Sequence, residues 1–189
     1  MMVKLRKGYR PMKRLLSVLV LFGAQAAITG AQGQVVREDV EGIRNFAQIE
    51  SVVACAGAIV PDSVAQIADM GFRSIINLQR ATEETANVEE ESVAAEAAGI
   101  RYVHLPFGGP EYDPAVADRF LQTIVEPETA PAFIHCGGGG RAATMWFIKR
   151  VMVDEWDVDT ALAEATDLGM NPEAGSGQFG LNYVAERTN

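Results

Sequence analysis

A chain of 189 residues, 48% of them hydrophobic, has enough apolar material for one packed domain and too little length for two. Its formal net charge of −9 disfavours nucleic acid and anionic membrane as partners. Nothing in the composition marks a disordered or fibrous body.

The first segment has the order of a secretory signal. Residues 1–14 hold Lys4, Arg6, Lys7, Arg10, Lys13 and Arg14 and no acid; an apolar run from Leu15 to about Ile28 follows, closing on Thr29-Gly30-Ala31-Gln32-Gly33. The run is shorter than the roughly 20 residues a bilayer span needs, although an uncleaved anchor would share the same order. We expect residues 1–33 to be a signal peptide cleaved between residues 26 and 33, with Met12 as a second start for the same signal. The remaining domain, 34–189, holds 10 basic residues against 25 acids, a net −15, and is expected in the bacterial periplasm, off the membrane. An anionic ligand then needs a locally positive pocket in a negative surface.

Residues 34–50 read as a polar lead-in with room for one short helix, and Ser51 to Ala54 as a first strand at a sheet edge. Pro61-Asp62-Ser63 opens a helix through Met70 that Gly71 ends. Arg73 to Leu78 is a β-branched, buried strand. Thr82 to Ala98, rich in Glu and Ala, reads as a helix closed by Gly99, and Ile100 to Leu105 as the next strand. After a Pro/Gly loop over 106–113, Asp113-Pro114 starts a helix to about Val125, with Asp as cap and Pro at the first helical position. Pro131 to His135 is a short strand running into glycines. Helices follow over Arg141 to Val153 and Asp157 to Leu168, then a loop from Asn171 to Gly177 and a short element near Phe179 to Tyr183. The alternation predicts a three-layer α/β domain with a central, mostly parallel sheet of four to five strands and helices on both faces.

The chemistry concentrates in His135-Cys136-Gly137-Gly138-Gly139-Gly140-Arg141. A helix start leaves backbone N–H groups unpaired and carries positive partial charge. A glycine loop leading into it can curl its amides inward as an anion nest. Arg141 adds a fork that grips two oxygens of a phosphate- or sulfate-like group. The same field favours the thiolate of Cys136, the attacking form of cysteine. His135 is counted with the loop among the ligand-binding residues and could help orient that thiolate by a hydrogen bond, but as its chain neighbour on a strand it faces the other way and is not the base. Four consecutive glycines are entropically costly; close approach to a ligand explains them better than a plain turn around a buried cysteine. Cys55, in Val52-Val53-Ala54-Cys55-Ala56, reads as a small core residue, and a disulfide to Cys136 stays open. With two histidines and no ligand cluster, neither a metal nor another cofactor is expected.

His-Cys followed closely by Arg resembles the cysteine-dependent phosphatase superfamily, which sets five residues between Cys and Arg. Here four intervene, and this shortened Cys-x4-Arg loop is similar to that of bacterial tyrosine-phosphatase-like proteins, including the phosphatase-like domain of beta-lactamase-hydrolase-like proteins. Asn45-Phe46 through Gly57, Gly71-Phe72-Arg73-Ser74-Ile75-Ile76-Asn77-Leu78, Ala97 through Pro106, and Arg141 to Met170 follow that branch in order, covering about residues 43–170. The resemblance implies a phosphatase-like fold and hydrolysis of phosphate monoesters without a metal. Cys136 would form a phosphocysteine while Arg141 and the amides of Gly137, Gly138, Gly139 and Gly140 hold the oxygens. The family usually places Ser or Thr directly after the Arg; Ala142 and Ala143 stand there, with Thr144 next. Its general acid comes from a separate loop, where Glu111 and Asp113 are the candidates, Asp113 doubling as the helix cap. Arg80, after the second predicted strand, lies at the carboxyl edge where ligands gather in such sheets, either serving the site or pairing with Glu83 or Glu84. His104, inside a strand, reads as structural. Two other functions fit the same loop. One is a rhodanese-like sulfurtransferase carrying a Cys136 persulfide, since Cys136 to Arg141 spans six residues. The other is a non-catalytic oxyanion-binding module.

Overall fold

The computed structural model describes residues 33–188, so the predicted signal segment, Gly33 apart, lies outside the described residues. Apolar runs flanked by turn residues become strands. β3 (Val53–Ala56), β4 (Ser74–Asn77) and β6 (Ala132–His135) are buried at every position, as strands covered on both faces should be. With β5 (Arg101–His104) they form a parallel array, β3-β6-β4-β5. β1 (Val35–Val40) and β2 (Ile43–Ile49) extend it antiparallel, giving six strands in the order β1-β2-β3-β6-β4-β5.

That hairpin corrects the reading of residues 34–50, which contain no helix, and it makes β3 an interior strand rather than an edge. Sequence hid it because β1 carries Arg37-Glu38-Asp39 and is exposed along most of its length, the charged character that protects an open edge from pairing. Gly42, at φ 76°, makes the turn into β2.

Helices cover both faces. α1 (Val64–Asp69), entered through a 3-10 turn at Pro61–Ser63, and α2 (Val88–Ala98) pack with Phe72, Ile75 and Phe133 on one side. α3 (Pro114–Ile124), α4 (Gly140–Met152), α5 (Val158–Asp167) and α6 (Gly175–Thr188) close the other, over Cys55, Ile76, Ile134 and Cys136. No described helix is long and apolar enough to cross a membrane. Two elements differ from expectation. The helix expected from Thr82 begins only at Val88, leaving residues 81–87 as turns. The short element near Phe179 is a 14-residue helix, α6. Its glycines are there for close approach: a Cβ on Gly180 would stand 2.8 Å from Thr144 Cγ2 of α4.

Candidate functional site

Cys136 is the first residue beyond β6. Its amide donates to Ala56 O of β3 at 3.2 Å, and its side chain is buried on the α3–α6 face. The glycines that follow are tied down through their carbonyls. Gly137 O accepts from Ala58 N at 3.2 Å, and Gly138 bridges Gly57 as an isolated antiparallel pair. Asn45 Nδ2 donates to Gly138 O at 3.0 Å, from a left-handed backbone at φ 49°. With carbonyls held by neighbouring segments, amides are left for the thiol side: Gly139 N donates to Cys136 Sγ at 3.1 Å. Gly139 stands at φ 99°, which glycine adopts without the Cβ penalty, and caps α4. The Gly139 amide, at the start of α4, and the Cys136 thiol thus lie together.

Arg141, in the first turn of α4, is held at its outer edge by a residue that sequence reading did not rank. Its Nη1 and Nη2 donate to Glu83 Oε1 and Oε2 at 2.7 and 2.6 Å, and Nη1 also donates to Phe107 O at 2.8 Å and Leu78 O at 3.3 Å. Burial alone would push the Glu83 carboxyl up. The Arg141 hydrogen bonds, the Arg80 amide at 2.9 Å and both guanidinium charges outweigh it, holding Glu83 down at about 2. For Arg141 burial opposes the charge, but Glu83 and Cys136 together raise its pKa above the ordinary arginine value. Glu83 also crowds the loop: a Cβ on Gly137 would lie 3.3 Å from Glu83 Oε2 and 3.4 Å from Arg141 Nη2.

The other candidates separate. Arg80 comes to this edge: its Nε lies 3.6 Å from Glu83 Oε1, and its guanidinium reaches the Gly109 turn. Of the two readings given for it, the pairing with Glu83 is the one seen here. Asp113 caps α3, with Oδ1 accepting from Ala115 N at 2.9 Å. Glu111 is exposed and has no side-chain partner among the described residues. Between them, Tyr112 anchors the 106–113 loop by packing on Phe107 and Phe179, with ring centroids 4.8 and 5.7 Å away. Thr144 donates back to Gly140 O at 2.9 Å, and Ala142 and Ala143 are buried, so no hydroxyl directly follows the arginine. His104 has a ring nitrogen 2.7 Å from Gln79 O, a structural role.

His135 is a correction. Sequence reading counted it among the ligand-binding residues; the structure buries it completely on the opposite face of β6, against Glu91 of α2. Cys55 and Cys136 are both free thiols. Burial pushes the Cys55 thiol well up, and Cys136 and Glu164 add to the shift, which suits a core residue. A cleft of about 460 Å³ opens beside Gly138 and Gly139, between Arg37, Asn45 and Gly169.

Comparison with known proteins identifies the family and the fold. The family model described as Beta-lactamase hydrolase-like protein, phosphatase-like domain, matches residues 45–153, more than half of the chain. A Beta-lactamase hydrolase-like protein of Agrobacterium fabrum is 36% identical over 108 residues, 56% of this chain and 25% of its own length. The chain thus spans about a quarter of the curated relatives it matches. Two solved structures share the fold. The core catalytic domain of the PP-IP phosphatase SIW14 from S. cerevisiae, in complex with citrate, superposes with a TM-score of 0.61 at 17% identity, over 79% of this chain and 92% of that one. A cysteine-to-serine variant of P. aeruginosa TpbA, in complex with pTyr, gives 0.58 at 16% identity, over 81% and 96%.

Proposed function

Since the chain belongs to the phosphatase-like domain family of beta-lactamase hydrolase-like proteins, we propose that it hydrolyses phosphate monoesters with Cys136 as nucleophile. The observation that carries this is the Gly139 N–H donated to Cys136 Sγ at 3.1 Å, beside the forked Arg141. The Cys136 thiolate attacks phosphorus, and the loop amides and Arg141 hold the non-bridging oxygens. Glu111, uncommitted in the 106–113 loop, protonates the leaving oxygen, a task for which Asp113 is poorly placed while it caps α3. Water then cleaves the phosphocysteine. The pTyr bound to TpbA and the PP-IP activity named for SIW14 suggest aryl phosphates and phosphorylated polyols as first substrates.

The test is hydrolysis of an aryl phosphate by wild type and Cys136→Ser. We expect turnover in the wild type and none in the variant; equal rates would sink the proposal. Two further measurements separate the alternatives. Inorganic phosphate raising the melting temperature without turnover identifies an oxyanion-binding module, a reading favoured by the missing hydroxyl after Arg141. A gain of one sulfur on Cys136 after thiosulfate identifies sulfur transfer.

A further inference from the structure

We propose that Arg80 is a second anion subsite beside the Cys136 loop, and that the substrate carries a second phosphate close to the one that is cleaved. The inference rests on the loop taking the first phosphate, as the proposed function requires, and not on the rate of the chemistry.

Arg80 and Arg141 share one carboxylate. Glu83 Oε1 accepts from Arg141 Nη1 at 2.7 Å and from the Arg80 backbone amide at 2.9 Å, while Oε2 accepts from Arg141 Nη2 at 2.6 Å. The two donors on Oε1 occupy both of its lone pairs. The Arg80 side chain is left with a charge contact, Nε to Glu83 Oε1 at 3.6 Å, which is beyond hydrogen-bond length. Among the described residues no acceptor takes an N–H of this guanidinium. Arg37, Arg101 and Arg150, by contrast, each donate to an oxygen of the protein at 2.9 Å or less. A guanidinium presents its N–H donors as a planar fork that matches two oxygens of a phosphate. At Arg80 that fork is uncommitted, and the side chain is 46% exposed against 16% for Arg141.

The 106–113 loop places the two cations side by side. A Cβ on Gly108 would stand 2.9 Å from Arg141 Nη1, and one on Gly109 3.8 Å from Arg80 Nη1. The guanidinium groups therefore lie against successive residues, and neither residue has a side chain to cover its cation. Two cations against one carboxylate leave this edge positive, in a domain whose residues 34–189 hold 10 basic side chains and 25 acidic ones. Such a spot attracts a polyanion that the rest of the surface repels. A single phosphate over Cys136 leaves the Arg80 fork to water. A ligand with phosphates on neighbouring hydroxyls spans the short gap between two cations that meet the same carboxylate oxygen. The class that fits is a polyol phosphorylated at adjacent positions, ahead of an aryl monophosphate.

The test reads binding, so it stands apart from the hydrolysis assay. Calorimetry is run on the full chain carrying Cys136→Ser, which consumes no ligand, with ethylene glycol monophosphate and ethylene glycol bisphosphate as probes. The bisphosphate should bind about tenfold more tightly than the monophosphate, and adding Arg80→Gln should remove most of that preference. Arg73, exposed just before β4 at the opposite end of the sheet, is the control for charge alone. Arg73→Gln should keep the preference. Equal affinities for the two probes before any change at Arg80 would overturn the proposal. So would a preference that survives in a folded Arg80→Gln, or one lost equally in Arg73→Gln, which would make net charge its source. Binding of neither probe would sink the loop as a phosphate site and the subsite with it. A preference that depends on Arg80 while the wild type turns over no phosphate ester would count against hydrolysis alone.

Discussion

The two halves of the candidate site are held by different forces. The glycine loop is fixed by its backbone: Gly137 and Gly138 are bonded through their carbonyls to Ala58 and Asn45, and Gly139 turns its amide onto the sulfur. Arg141 is fixed by charge, through two hydrogen bonds to Glu83, a residue 58 positions earlier on a loop of turns. Backbone bonding of this kind is indifferent to pH and salt and depends on conformations that only glycine adopts cheaply. A charge pair depends on a protonation state and on screening. One half of the site is therefore built in and the other is adjustable.

The sharpest way to break the first half is Gly139→Ala. At φ 99° the alanine carries backbone strain of about 1–3 kcal/mol, and relief of that strain turns the amide away from Cys136. Loss of one donor of this type lowers turnover by about 100-fold or more. Steady-state kinetics on an aryl phosphate measure it, with circular dichroism to show that the fold persists. Activity within a factor of about two of the wild type would mean that the amide on the sulfur has no part in the reaction.

Glu83→Gln attacks the second half and should cost less. Glutamine keeps one acceptor for Arg141 but loses the charge and the fork, so the guanidinium keeps its bonds to Phe107 O and Leu78 O with a weaker anchor. Affinity for inorganic phosphate, followed by calorimetry, should fall by about tenfold, with Cys136 alkylation less affected. Tighter phosphate binding in the variant would reverse the assignment, making Glu83 a competitor for Arg141 in place of its support.

What sequence revealed follows the same division. Cys136 to Arg141 is contiguous, so the strand end, the glycine turn and the helix start could be read from adjacent residues. The Asp113 cap was equally legible, because capping is decided within three residues. Glu83 was not, since Thr82-Glu83-Glu84 looks like the start of an acidic helix, and only the distant Arg141 gives it another task. His135 was assigned to the ligand although strand alternation already turned it away; its partner Glu91 looked like one more solvated acid among the four glutamates Glu89, Glu90, Glu91 and Glu96 of α2. The β1–β2 hairpin and α6 were missed because an edge strand hides behind charge and a close-packed helix behind glycine. Local chemistry was legible, and pairings across the sheet were not.

The smallest effect separates the two halves most cleanly. The Glu83 carboxyl lies at about 2 in the folded chain against an ordinary 4.5, so the unfolded chain takes up its proton first as pH falls. The bridge to Arg141 therefore adds its full stability above about pH 4.5 and loses it progressively as pH drops towards 2. Partial exposure and salt keep the contribution modest. Thermal unfolding of wild type and Glu83→Gln should show a constant difference in melting temperature near neutrality that narrows between pH 4.5 and 2. The difference between wild type and Gly139→Ala should stay flat over the same range, because strain at a backbone dihedral carries no proton. A Glu83→Gln difference that is also flat to pH 2 would mean that Arg141 is held by the Phe107 and Leu78 carbonyls, and that both halves of the site are backbone-built.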